Sequence, residues 1–229
     1  GGIKFFRRRK KVKELKLFIK TKKIQYVIAD TWKSIELSID DLNENNIPVM
    51  CLAHGNELIS NNTNKKERIT STLNKVSTIV VNSNYTSGLV EKLIGKKPQI
   101  KVVHPGATDL RSLDSDDFIN IKGNPVLLTL ARLEKRKGHF FILQAMKELK
   151  NKFPNIMYII AGEGSEKAYL QRVVNSFDLN NHVFFAGNVN EKQKKQLFKN
   201  TTLMVMPTLD ESHNRSIEGF GIAYLEAAF

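Results

Sequence analysis

The chain is short of the residues that staple, coordinate or cross membranes. Its 229 residues include one cysteine, Cys51, and one tryptophan, Trp32. A lone thiol excludes an internal disulfide and fits a reducing compartment. No apolar run approaches the roughly 18 residues of a membrane span, and no signal-peptide core opens the chain. A cytoplasmic protein is therefore expected. The five histidines and Cys51 form no cluster at metal-ligand spacing, so no metal site is expected. Neither a Walker loop nor a G-x-S-x-G elbow is present. In the C-terminal loop the nearest candidate for a metal-holding acidic pair is Asp210-Glu211, where the acids are adjacent.

What is present is enough apolar material for a core, at 41% of residues, and a net charge of +13. The charge is uneven. Residues 1–23 hold eleven Lys/Arg against Glu14 alone, so eleven minus one, +10, sits in that segment. Val12, Leu15 and Ile19 form an apolar stripe at helical spacing among these cations. Two readings stand together: a solvated helix packing its stripe on a sheet, and attraction of residues 4–23 to an anionic membrane surface. Nucleic acid is not expected, because no aromatic–basic interleaving accompanies the charge. The chain opens on Gly1 rather than Met and stops inside a helical pattern, which predicts a piece of a longer protein.

Apolar, β-branched runs alternate with helical patterns. The expected strands are 25–29, 48–53, 77–82, 100–104, 125–131, 156–161, 182–186 and 202–206. The expected helices are 8–22, 32–46, 65–76, 84–94, 138–152, 165–176, 190–199 and 220–229. In 138–152, Ile142, Met146, Leu149 and Phe153 recur at intervals of four, three and four, which predicts one buried face. This alternation predicts an α/β fold with doubly wound parallel sheets. The pattern lapses between Pro105 and Gly123, which places a domain boundary there and gives domains 1–110 and 111–229.

The most informative stretch is the last, MPTLDESHNRSIEGFGIAYLEAAF. A strand runs into Pro207 and a polar loop, then Glu218-Gly219-Phe220-Gly221 and a helical run. Glu218 and Glu226 stand eight apart, as E-x7-E. A carboxylate accepts two hydrogen bonds side by side and so suits a vicinal diol. Gly219 and Gly221 allow a backbone to approach a phosphate just before a helix start.

This segment resembles the donor-sugar loop of retaining GT-B glycosyltransferases of family four, and SIEGFGIAYLEA is especially similar to phosphatidylinositol mannosyltransferase-like members. Arg132-Leu133-Glu134-Lys135-Arg136-Lys137-Gly138 resembles the family's G-R-L-x-x-x-K-G motif, with Ala131 in place of its first glycine. The resemblance implies that Arg132 and Lys137 hold the donor diphosphate, where paired cations stabilise a departing nucleoside diphosphate. Lys135 and Arg136 lack family counterparts and are expected to face solvent. Ala53-His54-Gly55-Asn56-Glu57 is similar to the family's H-G-x-E stretch, which implies that His54 touches the donor sugar. Asn82-Ser83-Asn84-Tyr85-Thr86 occupies a family Ser-x-x-Thr position, and helix capping from Ser83 or Asn84 explains it without any ligand. His104-Pro105-Gly106-Ala107-Thr108-Asp109 loosely resembles P-x-G-x-D and implies backbone contacts from Gly106. Ala161-Gly162-Glu163-Gly164 lacks the third glycine of a dinucleotide fingerprint. The resemblance places Gly162 and Gly164 beside the nucleotide, and the tight turn explains them as well.

The resemblance thus implies GT-B architecture: two Rossmann-like domains facing a cleft, both incomplete in this chain. A hexose, mannose or glucose, would move from a nucleoside diphosphate sugar to a lipid or saccharide hydroxyl, without metal or other cofactor. Glu218 would bind sugar hydroxyls, Glu226 the ribose diol, and the backbone of Gly219, Phe220, Gly221 and Ile222 the phosphate. Two alternatives stay open: a nucleotide-sugar epimerase-like isomerase, and a non-catalytic nucleotide-sugar or membrane-binding module.

Overall fold

The computed structural model describes residues 2–21, 24–94, 98–113, 122–211 and 217–229. Lys22, Lys23 and the stretch 114–121 of the expected boundary lie outside them. The chain forms two compact units. The first comprises Gly1–Pro105 with Ser212–Phe220, and the second Gly106–Glu211 with Gly221–Phe229.

The first unit opens with helix α1 (Gly2–Thr21), built from Lys, Arg and Leu with no internal Gly or Pro, all good helix formers. Its Leu15 and Ile19 pack on the core of this unit, and Lys16 pairs with Asp41 at 2.9 Å. Four parallel strands follow in the order β1 (Val27–Ala29), β2 (Val49–Ala53), β3 (Thr78–Val81) and β4 (Gln99–Val102). Between β1 and β2 the expected single helix over 32–46 is two short ones, α2 (Trp32–Ile35) and α3 (Ile39–Glu44). The break falls at Leu37-Ser38, where the Ser38 N–H turns back to the Ile35 carbonyl at 2.8 Å. The break lets Trp32, Ile35, Ile39 and Leu42 all reach the core. Helix α4 (Thr63–Leu73) is capped by the Asn62 side chain, and α5 (Asn84–Glu91) by Ser83, which accepts from the Thr86 N–H at 3.1 Å. Each cap satisfies a backbone donor left over at a helix start.

The second unit repeats the strand–helix logic with the order β7-β6-β5-β8. Strand β5 (Val126–Leu130) leads to α6 (His139–Lys152), β6 (Met157–Ala161) to α7 (Lys167–Ser176), and β7 (Val183–Gly187) to α8 (Glu191–Asn200). Strand β8 (Leu203–Met204) then pairs with β5 on the far side from β6. Helix α9 (Ile222–Ala228) ends the chain. Side chains alternate between the faces of a strand, and both faces are filled here. Leu127, Tyr158 and Ile160 meet α6 and α7, whereas Val126, Leu128 and Ile159 meet α8 through Leu197 and Phe198. Phe153 departs from its expected place in the buried face of α6: it ends the helix at φ −128° and is 45% exposed.

Chain direction reverses across this sheet. From β5 the chain moves to β6 and β7, then returns to β8 on the other side of β5. The loops after β5 and β8 therefore leave adjacent strand ends in opposite directions. That is the switch point at which open α/β sheets bind ligands.

Candidate functional site

The loop after β5 carries Arg132 and Lys137 and is fixed mainly by backbone. Leu133 is fully buried, its N–H donates to the Glu163 carbonyl at 3.0 Å, and its own carbonyl accepts from the Glu166 N–H at 3.0 Å. A Cβ on Gly162 would lie 2.1 Å from the Ala131 carbonyl oxygen, and one on Gly164 2.4 Å from that of Leu133. Both glycines thus have a packing reason: they admit the β5 loop against the β6 loop. Residues 135–137 form a tight turn, and Gly138, at φ +73°, opens α6. A Cβ there would meet the Pro207 carbonyl oxygen at 2.2 Å. The Leu209 N–H donates to the Arg136 carbonyl at 2.8 Å. The loops after β5 and β8 are thereby clamped together at the switch point.

The side chains on this loop differ in access. Arg132 is 69% exposed and pairs with Glu134 at 2.6 Å. Lys137 is 8% exposed, so its ammonium sits close against the protein. Arg136 corrects the expectation of a solvent-facing side chain: it is 4% exposed and reaches Glu134 at 3.4 Å. Glu134 stands between the two arginines as their shared counter-charge. Lys135 is exposed.

Sequence reading missed a buried polar chain beneath this loop. His139 Nδ1 lies 3.1 Å from the Tyr158 hydroxyl, which lies 2.9 Å from Thr129 Oγ1, and Thr129 donates to the Val205 carbonyl. Burial pushes the His139 imidazole down to about 4, helped by the Lys137 charge and opposed by the Arg132 carbonyl. It is neutral at pH 7. The chain joins β5, β6, β8 and the start of α6, and no motif spacing announces it. Beside it, Phe140, Phe141, Tyr169, Leu170 and Leu209 line a cavity of about 590 Å³ edged by Glu134, Lys135 and Glu166. Its walls come from α6, α7 and the loops after β5 and β8, so it borders the switch point.

Glu226, on α9, has a side chain 11% exposed and takes an ion pair from Lys194 of α8 at 2.9 Å. Burial pulls the Lys194 pKa down, but its bonds to Glu226 and Glu191 outweigh burial and leave it raised. The Glu226 carboxylate is thus held in one orientation. Tyr224 donates to the Met206 carbonyl, fastening α9 to the end of β8. Gly221 starts α9 at φ +95° and Ile222 is exposed.

In the first unit, His54 follows β2 and is exposed. Its N–H donates to Glu57 Oε1 at 2.6 Å, so Glu57 closes the turn. Its carbonyl accepts from Asn82 Nδ2 at 3.3 Å, and Asn82 Oδ1 accepts from the buried Thr86 hydroxyl at 2.7 Å. Segment 217–220 seats on this turn. The Ile217 N–H donates to Asn56 Oδ1 at 2.7 Å, a Cβ on Gly219 would lie 2.4 Å from the His54 carbonyl oxygen, and Phe220 stacks on His104 at 5.3 Å. Glu218, between Ile217 and Gly219, is therefore brought to the same end of the sheet as His54. Asn56, Asn82 and His104 are placing residues that sequence reading did not single out for this role; N-S-N-Y-T was legible as a cap. The E-x7-E pair is divided, with Glu218 in the first unit and Glu226 in the second. Gly106 is exposed, and a Cβ there would meet nothing within 4 Å. Among the described residues, no group of three or more His, Cys, Asp or Glu could hold a metal ion.

The family described as Glycosyl transferases group 1 matches residues 113–228. The chain is 26% identical over 162 residues to the GDP-mannose-dependent alpha-(1-6)-phosphatidylinositol monomannoside mannosyltransferase of Mycolicibacterium smegmatis, covering 68% of this chain and 42% of that protein. It is 28% identical over 103 residues to the GDP-mannose-dependent monoacylated alpha-(1-6)-phosphatidylinositol monomannoside mannosyltransferase of Corynebacterium glutamicum, covering 45% of this chain and 26% of that one. Among solved structures, sucrose-phosphate synthase of Thermosynechococcus elongatus superposes with a TM-score of 0.71 at 16% identity, over 94% of this chain and 56% of its own. The pneumococcal O-GlcNAc transferase GtfA, solved with UDP and GlcNAc, gives 0.69 at 17% identity over 93% and 42%. The chain thus spans less than half the length of these two mannosyltransferases. The structural neighbours are GT-B glycosyltransferases.

Proposed function

Since this chain belongs to the Glycosyl transferases group 1 family, we infer that the complete protein transfers a hexose from a nucleoside diphosphate sugar to a hydroxyl of a lipid or saccharide, with retention at the anomeric carbon. The observation that carries this reading is the loop of Arg132 and Lys137, clamped at the β5/β8 switch point. Arg132 offers a planar fork of donors and Lys137 a compact charge, which together suit a diphosphate. Charge grows on that group as the sugar leaves, so fixed cations stabilise the transition state more than the ground state.

The other roles follow the same division. Glu218 and His54 serve the sugar, and Glu226, oriented by Lys194, accepts from the ribose diol. The backbone of Gly219 to Ile222, with that of Gly106, Gly162 and Gly164, lies toward the donor. The acceptor proton passes to the donor phosphate on the attacked face, which assigns the protein chiefly to leaving-group stabilisation. The proposal is metal-independent: Arg132 and Lys137 supply the positive charge. GDP-mannose and a phosphatidylinositol-based acceptor are the first pair to try, because relatives bear those names. Residues 4–23 hold the protein peripherally on an anionic, cytoplasmic membrane face.

The test is product analysis. The complete protein, given nucleoside diphosphate hexoses and lipid or saccharide acceptors, should yield a glycoside with the anomeric configuration of the donor. An inverted product would overturn retention. An epimerised nucleotide sugar would instead identify an isomerase, and binding without turnover a non-catalytic module.

A further inference from the structure

Each hydroxyl in the buried chain under the donor loop has one hydrogen to give. Thr129 gives its hydrogen to the Val205 carbonyl, so Tyr158 gives its own to Thr129. The Tyr158 oxygen is then left to accept from the Nδ1–H of His139. His139 is neutral at pH 7, so its other ring nitrogen, Nε2, carries no proton and can only accept. The residue is 2% exposed, and among the described residues Nε2 has no hydrogen-bond partner of normal geometry, the Arg132 carbonyl included. The same imidazole lines the cavity of about 590 Å³ beside α6 and α7, a size within the range of about 300–1,000 Å³ usual for small-molecule sites. Aromatic rings form one wall: Phe140 meets Phe141 edge-on at 5.7 Å and Tyr169 at 6.1 Å. On the rim, Glu134 is already matched by Arg132 and Arg136. Glu166 is not. It is half-buried, and among the described residues no hydrogen bond or ion pair engages its carboxylate. Lys135, also on the rim, is exposed, so its ammonium can stay in water.

We propose that this cavity binds a small aromatic amine whose ring carries an N–H or O–H donor. The ring lies among Phe140, Phe141 and Tyr169, its donor goes to His139 Nε2, and its ammonium goes to Glu166. The two unmatched polar groups of the cavity are both acceptors, so the ligand must bring the donors. A ring without a donor leaves Nε2 buried and unsatisfied, which costs binding energy. The faces of the three aromatic rings carry negative potential and favour a cation. Flat ligands also gain from edge-on and offset contacts with such a wall. The Glu166 carboxylate supplies the counter-charge that Glu134 has already spent on the arginines. None of Phe140, Tyr169, Glu166 and His139 is given a role toward the donor, so this site goes beyond the transferase reading and does not rest on it.

The test is an NMR titration of the full chain, with its histidine rings labelled with nitrogen-15, using tryptamine, an indole N–H with an ethylammonium arm. A Kd of about 1 mM or lower is expected for a ligand of this size. In the free chain the His139 Nε2 resonance should be that of an unprotonated ring nitrogen, and it should move as tryptamine binds. Indole-3-propionate, with a carboxylate in place of the ammonium, should bind about tenfold more weakly or less still, because it meets Glu166 as a like charge. Glu166→Gln and Phe141→Ala should each weaken tryptamine by about fivefold. Thermal unfolding should be unchanged, since the Glu166 carboxylate holds nothing in the fold and Phe141 is 48% exposed. Lys135→Gln should bind tryptamine no more weakly than the parent chain. No binding at about 10 mM tryptamine would overturn the site. Unchanged affinity in both the Glu166 and Phe141 variants would place the amine elsewhere and overturn it too. Equal affinity for indole-3-propionate would overturn the choice of an amine. A protonated Nε2 in the free chain would overturn the ring-donor contact.

Discussion

The two units solve the same problem, holding loops at the ends of a parallel sheet, by different means. In the second, both sheet faces are packed and the strand-end loops lock backbone to backbone through Gly138, Gly162 and Gly164. In the first, β1 and β2 leave Ile28 and Met50 59% and 37% exposed. Its strand-end turns are held by the side chains of Glu57, Asn82 and Asn56. Parallel sheets are normally covered on both faces, and the described residues of this chain leave the Ile28/Met50 face open. The difference suits the roles proposed: a rigid cradle for a charged diphosphate, and a hydrogen-bonded turn for the sugar.

The contrast breaks most visibly at a glycine. Gly162→Ala would place a Cβ against the Ala131 carbonyl at φ +135°, where strain and overpacking combine to cost roughly 4 kcal/mol. Thermal or denaturant unfolding should show it, and an unchanged midpoint would mean that the two loops are not locked. Acid is the next lever. The His139 pKa is depressed to about 4 in the fold from 6.5. The unfolded chain therefore binds the extra proton as pH falls from about 6.5 to about 4, and stability is lost over that window, not above it. The loss is roughly 3 kcal/mol. His139→Phe should flatten this part of the stability–pH curve. An equally steep curve in the variant would remove His139 as the cause. The smallest effect belongs to the first unit. Ile28→Thr with Met50→Gln should change stability by about 0.5 kcal/mol or less and raise solubility. A larger loss would show that this face is packed in solution.

Much of the fold was legible because its signal is local. All eight expected strands exist, since runs such as Val126-Leu127-Leu128 and Ile159-Ile160-Ala161 are buried on both faces and read as continuous apolar segments. The expectation of family membership is met by the match over 113–228. What escaped depends on tertiary neighbours. The break between α2 and α3 serves a core that a helical period does not encode. Arg136 is buried, its carbonyl accepting from the Leu209 N–H and its guanidinium reaching Glu134, although its neighbour Lys135 is exposed. Phe153 follows the heptad-like spacing but sits where α6 has ended. Of the candidate site, the motifs read from spacing fall on loops that follow strands. The partners that orient them, Lys194 for Glu226, Asn82 for His54 and Tyr158 for His139, lie between 19 and 32 positions away in the chain. Nor does an eight-residue spacing reveal that Glu218 and Glu226 belong to different units.

The central claim is that Arg132 and Lys137 carry the leaving diphosphate. The direct measurement is turnover of the nucleotide sugar by the complete protein with Arg132→Ala and with Lys137→Ala, folding checked in parallel. Each should lower kcat by about two orders of magnitude, the scale of losing a transition-state charge partner. Wild-type kcat in both variants would contradict the claim.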